Sequence, residues 1–111
     1  MIPVLLVSTE EHTFAFRRAD VEIVTLLPRL ERRPGDMEML EGWFRLGEEA
    51  LPTMSLAWIL GMKVEEPRLS DHLVVTAPQA RIAWRVRRVV GLDEVGWDDL
   101  SMIEHSCEPT P

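Results

Sequence analysis

One cysteine, Cys107, stands in 111 residues. A lone thiol excludes an intramolecular disulfide and a multi-cysteine zinc site. It also fits a reducing cytoplasm. No apolar run approaches the roughly 18 residues of a membrane helix, so no membrane insertion is expected. The N-terminus, MIPVLLVSTEEH, has no basic stretch ahead of its short apolar run. It therefore reads as a first strand rather than a signal peptide. Basic charge is scarce as well. Twelve Lys and Arg face nineteen Asp and Glu, for a net charge of −7, and no nucleic-acid partner is expected from that balance. There is no Gly-x-Gly-x-x-Gly, no phosphate-binding lysine loop and no Gly-x-Ser-x-Gly elbow. Internal repeats and low-complexity segments are absent.

What is present is an ordinary globular composition, 46% hydrophobic and 28% charged, unlike that of a disordered chain. The length suits one domain with a modest core and leaves little room for a cofactor domain. After Val90 come six acids (Asp93, Glu94, Asp98, Asp99, Glu104, Glu108) and no Lys or Arg. Residues 93–111 read as an acidic C-terminal tail.

Short β signals dominate. Residues 4–7 form a continuous apolar run, and residues 13–17 alternate so that Phe14 and Phe16 share a face. With Glu10-Glu11-His12 between them, the two runs read as a hairpin. Residues 21–24 are β-rich, and Pro28 and Pro34-Gly35 then break regular structure. Trp43, Phe44 and Leu46 follow Gly42, and Gly47 begins a turn. Pro52, lacking an amide hydrogen, suits a strand end or a sheet edge. Ser55 and Gly61 bracket a short helix as N-cap and C′ residue. Residues 73–75 and 81–90 read as late strands. In the second, Ile82, Trp84 and Val86 point one way and Arg81, Arg85 and Arg87 the other. This pattern predicts an all-β fold with one or two short helices.

Chemistry is harder to find. His12, His72 and His105 are dispersed. The one compact cluster is Glu104-His105-Ser106-Cys107, which reads as polar tail. The alternative is a small metal-binding or enzymatic module using His105 and Cys107. Acidic neighbours raise a thiol pKa, which disfavours Cys107 as a nucleophile. The adjacent pairs Glu10-Glu11, Glu48-Glu49, Glu65-Glu66 and Asp98-Asp99 read as turn and surface charge, because neighbours on a strand face opposite ways. Arg81, Arg85, Arg87 and Arg88 form one basic patch. It could grip an acidic partner segment, lie as a solvated strand face, or receive the acidic tail. Trp43, Trp58 and Trp84 are core candidates, and Trp97, among acids, is the exposed one.

Residues 40–56, LEGWFRLGEEALPTMSL, resemble the signature of CheW-like coupling domains. That signature has Gly, two apolar residues, Asn-x-Arg-Gly, an apolar pair, Pro, two apolar residues, Asp-Leu, and then a short helix ending in Leu-Gly. Gly42, Trp43, Phe44, Leu46, Ala50, Leu51, Pro52, Leu56, Leu60 and Gly61 fit at the right spacing. Residues 14–16, 21–23, 73–75 and 84–89 resemble the flanking strands. The resemblance covers about residues 4–92, so the expected domain is 1–92, followed by the tail 93–111. It implies two small SH3-like barrels, shortened at the C-terminus, with Gly42, Pro52, Ser55, Leu56 and Gly61 as fold-motif positions. Chain edges left open by the shortening would invite a second copy or addition to a partner's sheet.

The resemblance further implies a non-enzymatic adaptor without cofactor or metal. Its partners would be a chemoreceptor signalling tip, a CheA-type histidine kinase, or both, at cytoplasmic arrays or at clusters reached through partners. Arg45, Gly47 and Glu48 of the signature turn, with Arg85, Arg87 and Arg88 of the basic patch, are the candidate partner-binding residues. The family's Arg-Gly, associated with receptor or array contact, falls on Gly47-Glu48, its Asn on Arg45, its Asp before Leu on Ser55, and its late Asp on Arg87. These departures point to an accessory adaptor making part of the usual contacts, of the FrzB type. A generic interaction domain outside chemotaxis is the other binding-module reading.

Overall fold

The structure, a computed structural model, describes residues 1–77 and 80–96. Eight strands run in the order β1 (Ile2–Ser8), β2 (Thr13–Arg17), β3 (Val21–Leu26), β4 (Leu40–Leu46), β5 (Glu49–Ser55), β6 (His72–Thr76), β7 (Ile82–Val86) and β8 (Arg88–Val95). A 3₁₀ turn at Arg18–Asp20 links β2 to β3, and one helix, α1 (Leu56–Ile59), follows β5. The strands form two sheets, ordered β2-β1-β8 and β3-β6-β7-β5-β4. All pairings are antiparallel except β5 with β7.

Side-chain alternation sorts the apolar residues into layers. In the β1–β2 hairpin, Leu5 opposes Phe16 and Val7 opposes Phe14, so all four stand on one face. They pack against Val74, Trp84 and Val86 of the larger sheet and Leu56 of α1. The offset residues supply the other faces. Leu51, Leu73, Val75 and Ala83 form a second core with Ile23, Leu27, Leu30, Phe44 and Leu46. Val4 and Ala15, with Ile2, Leu6 and Val95, form a third cluster on the far side of the small sheet.

Three motif positions show how sequence sets the backbone. Gly42 is fully hemmed in: a Cβ there would lie 2.7 Å from Leu30 Cβ and 2.9 Å from the Glu31 carbonyl oxygen. Only glycine permits that close approach. Pro52, expected at a strand end or a sheet edge, lies inside β5, which runs between β7 and β4. Its opposite residue, Trp43, turns its own N–H and C=O to Glu31, so Pro52 also turns its nitrogen away from β4. Pairing with β7 begins only at Thr53, and the missing N–H leaves no ladder bond empty. Gly61, at φ 73°, accommodates the left-handed C′ position of α1. Met62 N–H donates to Ala57 C=O at 2.8 Å and Gly61 N–H to Trp58 C=O at 3.0 Å, the paired bonds of a Schellman cap. Ser55 does occupy the N-cap, with extended backbone, but its side chain makes no capping bond.

At the other end, β8 continues past Leu92 to Val95, pairing with β1 throughout. The expected edge of the domain after residue 92 thus falls within a strand. Trp97, His105, Cys107 and most of the acidic tail lie outside the described residues.

Candidate functional site

The most organised polar feature lies at the C-terminal end of β7. Strand alternation puts Arg85 and the next residue but one, Arg87, on one face. That face is not solvated, contrary to the sequence expectation. Arg85 is 3% exposed and Arg87 6%. Asp71, with no exposed surface, lies between them. It accepts from Arg85 Nη1 and Arg87 Nη1, each at 2.8 Å, and from the Arg68 backbone N–H at 3.0 Å.

Each guanidinium is then closed by further acceptors. Glu41 takes Arg85 Nε and Nη2 at 2.6 and 2.8 Å, a bidentate pair. The Glu65 carbonyl takes a third bond from Arg85 at 2.7 Å. Arg87 donates to Glu65 Oε2 and to the Glu66 carbonyl, both at 3.0 Å. Glu65 also accepts from the Glu10 backbone N–H. Burial alone pulls the Arg85 pKa down, but Glu41 and Asp71 outweigh it and leave it raised.

A local backbone irregularity supplies one member. The β4–β5 register shifts between Leu40 and Gly42, so Glu41 is an extra residue. Such a bulge re-aims a side chain, and here it delivers Glu41 to Arg85. Glu65, expected as surface charge, is likewise drawn into the network. The result fastens the irregular stretch 62–71 to β7 and to the β1–β2 turn, where Arg68 also meets Glu10 at 3.1 Å.

The signature turn is a separate place. Leu46 opposes Glu49, so Gly47 and Glu48 form a two-residue loop. Gly47 has φ 64°, and no described non-glycine residue has positive φ, the pattern of a type II′ turn. Arg45 and Glu48 are exposed. Arg45 pairs with Glu31 at 3.1 Å. Glu31 raises the Arg45 pKa, and Arg45, with Arg33 adding, lowers that of Glu31. The turn lies at the Arg81 end of β7, where Arg81 bridges Glu22 and Glu49. Arg85 and Arg87 lie at the opposite end of that strand. The structure thus groups Arg45, Gly47 and Glu48, buries Arg85 and Arg87, and leaves Arg88 exposed on β8. Of the tryptophans, Trp84 is core, Trp58 is 40% exposed, and Trp43 lies beneath Arg33, 4.4 Å from its ring centroid. No long apolar helix able to cross a membrane is present among the described residues, nor any cluster of three His, Cys, Asp or Glu side chains able to hold a metal.

The sequence model of the CheW-like domain family matches residues 3–110. The chain belongs to the CheW-like family. The fold agrees: the scaffolding protein TtCheW from Thermoanaerobacter tengcongensis superposes with a TM-score of 0.79 at 15% identity, over 87% of this chain and 67% of that one. No curated protein sequence matches. Membership in the CheW-like family, a family of non-enzymatic scaffolds, supports a general coupling or scaffold role in chemotaxis.

Proposed function

We propose that this CheW-like chain is an accessory adaptor that couples, or modulates contact between, a chemoreceptor signalling tip and a CheA-type histidine kinase. It acts by geometry, holding partners in register, and no side chain does chemistry. It would work in the cytoplasm, at receptor arrays. The observation that carries the accessory reading is the β4–β5 turn. Where the signature has Arg-Gly, the chain has Gly47-Glu48, an exposed turn with an acid in place of the cation. Arg45 does not substitute, because Glu31 holds its guanidinium. The open strand edges make a second copy of the chain a further partner.

The test is a pull-down of the full chain with a receptor-tip fragment and a kinase regulatory-domain fragment, separately. Partial coupling predicts clear binding to one fragment and weak binding to the other. Binding both as tightly as a complete coupling protein rules out the accessory reading, and binding neither rules out coupling. The control restores the cation. Gly47→Arg alone strains a backbone at φ 64°, so the Gly47→Arg/Glu48→Gly double variant, with glycine in the second turn position, is the one expected to strengthen the weaker contact.

A further inference from the structure

Strand β8 pairs with β1 on one side, and no described residue pairs with its other side. Eight residues make it a long edge. It carries exposed apolar side chains at Val90, 57% accessible, and Leu92, 64% accessible. Natural edges are usually blunted by charge, proline or a cover. The register of β8 on β1 does shift between Leu6 and Val7, but this irregularity leaves Val90 turned out rather than hidden.

The other edges differ. Along β4, Trp43 exchanges backbone bonds with Glu31, and Arg33 lies over its ring, so that edge is covered. Strand β2 is mostly buried. Strand β3 exposes Val24 and Leu26, but its one charged residue, Glu22, is held by Arg81. Of the edges left uncovered among the described residues, β8 is the one with opposite charges at its two ends: Arg88 at the start, Asp93 and Glu94 near the finish. None of the three forms an ion pair among the described residues, and the Asp93 carboxylate bonds only the next N–H.

We propose that β8 pairs antiparallel with β8 of a second copy, its Arg88 end against the partner's Asp93–Glu94 end. An antiparallel two-fold brings each basic end to an acidic end twice over and meets Val90 and Leu92 with the same apolar pair. A parallel arrangement sets Arg88 against Arg88 and acid against acid. Direct and diagonal cross-strand neighbours lie within about 8 Å, inside the reach of an arginine. Both partners contribute the same patch, so the contact closes as a dimer rather than a fibre. This rests on the reading that an open edge takes a second copy, and it names the edge and its direction.

The test compares four full-length proteins by sedimentation over a concentration series, without receptor or kinase. These are the wild type, Arg88→Glu, Asp93→Lys/Glu94→Lys, and all three changes together. All three sites are exposed, and circular dichroism confirms that each variant is folded. The wild type dimerises. Each partial variant sets like charges together at two places and raises the dimer dissociation constant about tenfold, on the scale of cross-strand charge pairs. The combined variant returns close to wild type. A wild type that stays monomeric overturns this proposal and the open-edge reading together. A dimer equally strong in all four proteins overturns the antiparallel β8 pairing, because a parallel pair keeps like against like in every variant and a contact elsewhere ignores all three sites. A combined variant as weak as either partial one overturns the pairing of the Arg88 end with the Asp93–Glu94 end.

Discussion

Asp71 shows how one residue decides what two others are for. It is fully buried, and its two oxygens hold Arg85, Arg87 and the Arg68 backbone N–H. Removing one partner of such a set leaves uncompensated buried charge, which costs about 3–5 kcal/mol. Asp71→Asn keeps the shape and deletes the charge, so urea unfolding should show a loss of that order. A loss below about 1 kcal/mol, the size of a surface pair, would mean that the network is not what fastens residues 62–71. The face pattern of β7 was legible in the sequence; its burial was not. Alternation placed the arginines opposite Trp84 and Val86, as found. Nothing local revealed that Asp71, Glu65 and Glu41 would cover them, because those acids lie 14, 22 and 44 residues from their arginine partners. Glu41 arrives only through a bulge, which no periodicity announces.

At the scale of elements, the β4–β5 hairpin was the most readable part. The turn at Gly47, the apolar positions around it, and Gly61 ending α1 all follow from local backbone chemistry. Pro52 was read correctly as a residue that donates nothing, but its place inside a strand depends on where β7 begins to pair. What covers β4 was not foreseen. The stretch after β3 returns to β4 through the Glu31–Trp43 bridge, Trp43 Nε1 donates to the Asp36 carboxylate at 3.2 Å, and Arg45 grips Glu31. Arg45 is the main reason that Glu31 titrates below its ordinary 4.5. A lowered carboxylate pKa means stability that is present above the ordinary value and lost as pH falls through the lowered one. The Glu31–Arg45 pair is therefore at full strength at neutral pH and weakens in acid. Carboxyl NMR should place the Glu31 midpoint below 4.5, and Arg45→Ala should move it upward. A wild-type midpoint at or above that value would break the link between Arg45 and the cover.

Across the whole molecule, the question is whether the two sheets are one cooperative unit. Their topology gives no backbone pairing between them: β2-β1-β8 and β3-β6-β7-β5-β4 share no neighbour. The side chains do the joining. Leu5, Val7, Phe14 and Phe16 from the small sheet bury against Val74, Trp84 and Val86 of the large one, so neither face can be exposed without exposing the other. Arg87 adds a main-chain link, donating its N–H to the Ser8 carbonyl at 2.8 Å. A shared apolar layer of this kind predicts all-or-none unfolding. Trp84 lies in that layer, and the strands of both sheets contribute to the far-ultraviolet signal. Tryptophan fluorescence and far-ultraviolet circular dichroism should then give coincident transitions in urea. Phe16→Ala, cut from the small sheet, should lower both midpoints together by an amount equivalent to about 3–5 kcal/mol. If the fluorescence midpoint stays put while part of the dichroism signal moves, the sheets unfold separately, and the layer between them is a contact rather than a core.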